Sequence, residues 1–151
     1  MWLVPVDDES LKALQIQTVP LELSIDPIAK WATIPSIGRN NPFYHYTGGE
    51  DSLRFTLDWY SERESRDDVI NKCRWVESLS RSNAYDAEPS RVVLIFGDLF
   101  QFDTWIVESA PYRLSLFDKE RGMLPRQAYQ ELTLKKVSEK NTSSFEIRNY
   151  R

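Results

Sequence analysis

The chain has 151 residues, 41% hydrophobic, 13% aromatic and 28% charged, which supplies enough apolar side chain for one domain with its own core and too much for a disordered segment. A formal charge of −4 and a pI near 5.1, with Lys135-Lys136 the one adjacent basic pair, disfavour a general nucleic-acid-binding face, because affinity for phosphates comes from clustered Lys and Arg. The single cysteine, Cys73, excludes an internal disulfide and a cysteine zinc site.

At the N-terminus, Leu3 to Val6 is a short apolar stretch before the acidic turn Asp7-Asp8-Glu9. It lacks a basic n-region and an adequate apolar core for a signal peptide, and no apolar run approaches the roughly 20 residues that span a bilayer. Synthesis as a soluble cytoplasmic protein, without membrane insertion, is the expectation. Residues 11 to 17 suit either a helical turn (Leu11, Leu14) or a strand (Leu14, Ile16). Val19, Leu21, Leu23 and Ile25 then alternate with polar residues or Pro20, which predicts a strand; Pro20 confines it to an edge or a strand start, and Asp26-Pro27 closes it.

Residues 28 to 47 are broken by Pro35, Gly38 and Pro42, yet Trp31, Phe43, Tyr44 and Tyr46 keep the stretch from being a plain solvated loop. It reads as an extended arm that lies against something, such as another subunit. Gly48-Gly49-Glu50 leads into a long half-buried strand, with Leu53, Phe55, Leu57 and Trp59 on one face and Ser52, Arg54, Thr56, Asp58 and Tyr60 on the other. Gly49 is expected at a position of positive φ or of close approach by another chain.

One helix is predicted after a charged turn. Ser65 caps it, Asp68 follows three residues on, and Asp67 and Asp68 suit the positive end of its dipole. Val69, Ile70, Cys73, Val76 and Leu79 form its apolar stripe, Trp75 lies off the stripe centre, and Arg81 falls in the last turn. Asn83 to Ser90 is a polar connector. Arg91 to Gly97, apolar on both faces, predicts a central strand, and Asp98 beside Gly97 a tight hairpin to the next one, where Phe100, Phe102, Thr104 and Ile106 alternate with Gln101, Asp103, Trp105 and Val107. Tyr112, Leu114 and Leu116 begin a further strand that ends in the polar turn Asp118-Lys119-Glu120-Arg121-Gly122. The last strong strand runs from Arg126 to about Val137, with Ala128, Gln130, Leu132 and Leu134 on one side; Phe145, Ile147 and Tyr150 beyond it are candidates for a docked tail strand. The layout is mainly β, a single domain over 1–151 with its core at about 3–137 and a C-terminal tail at 138–151.

Little in this pattern carries chemistry. His45 sits among Phe43, Tyr44 and Tyr46 without metal-ligand spacing, so a packed or hydrogen-bonded histidine is expected. Cys73 on the helix stripe reads as a buried structural thiol. There is no P-loop, dinucleotide fingerprint, HExxH or GxSxG, and Gly48-Gly49 leads into a strand where a phosphate cradle needs a helix N-terminus. No enzyme activity, cofactor or metal is expected. The five tryptophans, Trp2, Trp31, Trp59, Trp75 and Trp105, suit either a core or interface anchors.

Taken in order across residues 19 to about 137, these motifs resemble the tube-forming domain of contractile-injection-system and phage baseplate proteins, the family placed between tail tube and central hub. The matching features are the strand ending in Asp26-Pro27, Gly48-Gly49-Glu50 before a strand holding Phe55-Thr56-Leu57-Asp58, the single helix, and Pro89 before Arg91 to Gly97. Phe102 to Ser109, Tyr112 to Phe117, the turn with Gly122 and Pro125, and Arg126-Gln127-Ala128 complete them. The resemblance implies an antiparallel β-sandwich or near-barrel with one flanking helix. It also implies a six-fold ring whose inner strands join around a channel, in the baseplate of a virion tail assembled in the host cytoplasm. The implied partners are other copies of the chain, the tail tube protein and the central hub or spike, with baseplate wedge and tape-measure proteins as further neighbours and DNA as passing cargo only. Many members carry a LysM domain after the tube domain; none is expected here, nor any cell-wall anchoring. Gly48, Gly49, Glu50, Trp31, Phe43, Tyr44 and Tyr46 are the candidate subunit interface, and Asp118, Lys119, Glu120 and Arg121 the candidate axial contact. A main tail tube protein and a monomeric β-rich binding module are the two other readings.

Overall fold

The structure, a computed structural model, describes residues 1–7, 11–35, 37–38, 40–61, 68–82, 88–100, 103–120 and 122–137. The elements in chain order are β1 (Trp2–Pro5), β2 (Leu14–Gln15), β3 (Ser24–Ile34), β4 (Phe43–Tyr60), α1 (Asp68–Ser78), β5 (Val92–Ile95), β6 (Thr104–Ser109), β7 (Tyr112–Asp118) and β8 (Leu124–Val137). All eight strands belong to one antiparallel sheet in the order β2-β1-β5-β6-β8-β4-β3, with β7 also paired to β8. The fold is mainly β with one α-helix, as expected.

The fourteen-residue strand β8 organises the sheet. One of its edges pairs with β4 over Ser52–Tyr60. The other is shared: β6 takes Thr133–Val137 and β7 takes Leu124–Gln130. β6 and β7 therefore run end to end, joined through Ala110-Pro111, where the Pro111 carbonyl accepts from the Glu131 N–H at 2.9 Å.

Strict alternation on β4 and β8 puts Leu53, Phe55, Leu57 and Trp59 on the same buried face as Ala128, Gln130, Leu132 and Leu134. Leu3, Val92, Leu94, Trp105 and Val107 join them in one core cluster, and Val69, Cys73, Val76 and Leu79 cover it from the helix side. Burial of each large side chain contributes roughly 1.5–3 kcal/mol. The buried Gln130 is satisfied, whereas the buried Trp105 Nε1 has no partner among the described residues. Gln130, fully buried, accepts from Trp59 Nε1 at 3.0 Å and donates Nε2 to the carbonyls of Cys73 (3.1 Å) and Ala110 (3.2 Å). It ties β4, α1 and the β6–β7 junction to β8.

Several boundaries differ from the sequence reading. The strand expected from Val19 begins at Ser24 and does not close at Asp26-Pro27; it continues through Pro27 to Ile34. Proline is tolerated there because β3 is an edge strand, whose outward backbone groups need no ladder partner. Residues 28 to 47 are regular, for β3 and the first half of β4 form one long hairpin. The expected tight hairpin at Gly97-Asp98 is a longer connection, since β5 and β6 pair only at Val92–Trp105 and Val93–Thr104. β5 lies between β1 and β6 but is not apolar on both covered faces: Ile95 is about half exposed. On β6 it is Trp105 and Val107 that are buried, while Ile106 faces out. Helix α1 buries Val69, Cys73 and Val76 as expected, and Arg81 lies past its end, paired with Glu77. Ser65, Asp67, most of the Asn83–Ser90 connector and the tail with Phe145, Ile147 and Tyr150 lie outside the described residues.

Candidate assembly surfaces

The β3–β4 hairpin continues well past the core. β8 stops pairing with β4 at Ser52, whereas β3 and β4 go on pairing to Ile34–Phe43. The register assigns its two faces. Ile25, Pro27, Ala29, Trp31 and Thr33 share one face with Leu53, Asp51, Gly49, Tyr46 and Tyr44, the same face that is buried farther along β4. Beyond the core nothing in the described chain covers it: Ile25, Trp31, Tyr44 and Tyr46 are 54%, 58%, 65% and 52% exposed. Trp31 and Tyr46 meet edge to face across the strands, with ring centroids 5.3 Å apart, a geometry that adds to their packing and stiffens the arm.

A bulge sits in the middle of this arm. Register shifts at Lys30/Trp31, so that Thr47 is the extra residue; its hydroxyl donates to the Lys30 carbonyl at 3.0 Å. Gly48 takes φ of +133°, which L side chains rarely adopt. Positive φ therefore falls on Gly48 and not on Gly49. Gly49 is the close-approach position, within one chain: a Cβ there would stand 3.1 Å from the Tyr46 hydroxyl.

The opposite face is polar where it crosses the sheet. Lys30 on β3, Glu50 on β4, Lys135 on β8 and Glu108 on β6 form a row of alternating charge, with contacts of 2.5 Å (Lys30–Glu50), 2.6 Å (Glu50–Lys135) and 2.7 Å (Lys135–Glu108). Hydrogen bonds from Lys135 and then Lys30 pull the Glu50 carboxyl down to about 2, and the Glu108 and Glu50 hydrogen bonds raise Lys135 in turn. The row stitches four strands at the base of the arm, a role for Glu50 that sequence reasoning missed because its partners Lys30 and Lys135 lie 20 and 85 residues away.

Of the seven candidate interface residues, Trp31, Tyr44, Tyr46 and Gly49 share the uncovered apolar face. Phe43 lies on the other face, opposite Ile34 at the hairpin end, and Glu50 belongs to the charge row. His45, expected to be packed or hydrogen-bonded, is exposed opposite Ala32. No cluster of potential metal ligands occurs among the described residues. Cys73 is buried, and burial pushes its thiol up to about 11, so it stays protonated and unreactive near neutrality.

The candidate axial turn is differently built from expectation. Asp118 does not project; its carboxylate accepts from Arg126 Nε at 3.1 Å and from the Glu120 N–H at 3.1 Å, and its carbonyl accepts from the Met123 N–H at 2.9 Å. It holds the turn closed. Lys119 and Glu120 are exposed, and Arg121 lies outside the described residues. Beside them Leu116, Phe117 and Met123 are all more than half exposed, and Leu116 and Met123 have φ of 54° and 61°. Left-handed backbone at such residues costs of order 1–3 kcal/mol. Leu116, which alternates with Tyr112 and Leu114 in the sequence, is turned out because pairing lapses there between Ser115–Gln127 and Phe117–Pro125. No sequence signal marks this.

No protein-family model matches the chain. No curated protein matches it either. Among solved structures, a chain in the tail of an empty GTA particle with C6 symmetry is similar at 14% identity, over 95% of this chain and 96% of that one, with a TM-score of 0.46.

Proposed function

We propose that the protein is a structural, ring-forming component of a contractile phage tail or related injection machine, placed between the central hub and the tail tube, where it templates tube assembly. The observation that carries this reading is the apolar face of the β3–β4 arm, which continues the core face of the sheet and is left uncovered by the described residues. Exposed aromatic surface of this kind marks a protein–protein contact. The order of motifs along the sequence, which resembles the tube-forming family, supplies the kind of assembly.

Two further features support a closed ring. Among the described residues β3 pairs with β4 alone and β7 with β8 alone, which leaves the β3-β4-β8-β7 part of the sheet an open edge on each side. Edges of this sort invite strand pairing with another chain. A β3 edge set against the β7 edge of the next copy is a heterologous contact, and six repeats close it. The arm then lies over a neighbour, with lateral contacts on the order of 2,000 Å² or more. The face carrying Lys30, Glu50, Lys135 and Glu108 lines the channel, and the chain's net negative charge keeps passing DNA from adsorbing. Catalysis has no part in this mechanism; the ring sets the symmetry and diameter that incoming tube subunits match.

Sedimentation velocity and electron microscopy test the reading. The protein is expected to associate with rising concentration, and Trp31→Ser with Tyr46→Ser to abolish that without unfolding the monomer. In a particle carrying a tagged copy, six laterally touching copies are expected at the hub–tube junction. A chain that stays monomeric at every concentration and sits as isolated copies in the particle would overturn it in favour of a binding module. Unassisted growth into long tubes would identify the main tube protein instead.

A further inference from the structure

Beyond the N-terminal end of β3, the edge of β4 is open. Pairing between them begins at Ser24–Arg54, and Thr18–Leu23 carries no strand, whereas β4 runs on to Tyr60 against β8. Alternate residues of an antiparallel strand aim their N–H and C=O at opposite neighbours. Gln17 identifies the set that faces the gap: its side-chain amide donates to the Tyr60 carbonyl at 3.0 Å and accepts from the Tyr60 N–H at 3.1 Å. Thr56 and Asp58 share that parity, and among the described residues no backbone group pairs with them on that side. One peptide-like amide thus already occupies the edge, and the two residue positions beside it are vacant.

The vacant edge faces a cavity of about 550 Å³ between the Thr18–Glu22 stretch and the polar face of β4 and β8. Glu22, Asp58 and Glu131 line it, and none of the three has an ion-pair partner among the described residues. The one cation there, Arg54, is 3.7 Å from Asp26. The Tyr129 ring adds aromatic wall.

We propose that this edge is a docking slot for an extended, Lys- or Arg-bearing peptide segment of a partner protein, taken up by strand addition. Backbone groups of Thr56 and Asp58 hold the guest strand, and the three unpaired carboxylates select its basic side chains. A guest of about four residues, at roughly 3.3 Å each, covers the vacant stretch. The slot lies within one chain's own sheet and does not depend on the ring described above.

The test uses the full chain and two fluorescent eight-residue probes, one alternating Lys and Val, the other Glu and Val. Binding of the Lys probe, at least tenfold tighter than the Glu probe, is expected, with slowed amide exchange at Thr56 and Asp58. Asp58→Asn with Glu131→Gln is expected to weaken it tenfold or more. Thr56→Pro removes an outward N–H at an open edge, where proline is tolerated, and is expected to abolish binding while the far-ultraviolet spectrum and melting persist. Equal affinity for both probes, no binding up to 1 mM, or protection that maps to the aromatic arm overturns the proposal. So does loss of self-association in Thr56→Pro, which would make the occupant a second copy of the chain. Trp31→Ser with Tyr46→Ser, which tests the ring, is expected to leave probe binding unchanged.

Discussion

Gln130 shows how one residue can hold three elements together. Replacing it with Leu keeps the volume but strips partners from Trp59 Nε1 and from the Cys73 and Ala110 carbonyls. Loss of roughly 2–4 kcal/mol in chemical denaturation is expected, since unsatisfied buried groups cost about 1–3 kcal/mol each. Glu50 makes a pH prediction. Its folded carboxyl is depressed from the ordinary glutamate value of 4.5 to about 2. A depressed acid stabilises above its unfolded value, and that contribution fades as pH falls toward the folded one. Stability is therefore expected to drop between about pH 4.5 and pH 2 more steeply in the parent than in Glu50→Gln, as read from melting temperatures across that range; equal slopes would show that the Lys30–Glu50–Lys135 row does not matter in solution. At Gly48, the φ of +133° makes any side chain strained although space is open. Gly48→Val is expected to lower stability by about 1–3 kcal/mol, with the change in amide exchange confined to the arm.

Among the elements, the helix was the most legible from sequence and the arm the least. The spacing of Val69, Cys73 and Val76 assigns a buried face without any tertiary knowledge, because 3.6-residue periodicity is local. Val76→Asp places an unpaired charge at a fully buried position, and a loss of about 3–5 kcal/mol is expected, measured by denaturation of the purified variant. A melting temperature within a degree or two of the parent would mean that α1 presents another face. The arm has no comparable signature. Pro27, Pro35, Pro42 and Gly48 punctuate it as a loop, and only the mutual pairing of Ser24–Ile34 with Phe43–Arg54 makes it a hairpin. Pairing of that kind is non-local, so residue preference does not encode it.

For the proposed assembly, the candidate axial turn separates folding from contact. Asp118 holds the turn through Arg126 and the Glu120 N–H, so Asp118→Lys is expected to lower the melting temperature of the isolated protein. Lys119→Glu with Glu120→Lys leaves those bonds in place and is expected to melt like the parent while weakening one axial contact in the particle. Full-length tails with this double variant would show that the turn makes no such contact; intact baseplates without tails would place it on the tube side. Leu116, Phe117 and Met123 beside the turn give that end an apolar surface that charge changes alone do not remove.

The amino-acid pattern by itself determined a mainly β chain, the helix and its buried face, and the strands from Ser52 to Tyr60 and from Arg126 to Val137 with their inner residues. All of these rest on local periodicity. The pairing of β3 with β4 beyond the core, the turning-out of Leu116, the Lys30–Glu50–Lys135–Glu108 row and the vacant edge beside Thr56 were decided only in three dimensions. Each depends on which strand lies next to which and where pairing stops. Registers between strands separated by up to 93 residues, as between Trp2 and Ile95, are set by the joint packing of the whole sheet, which no short window of sequence contains.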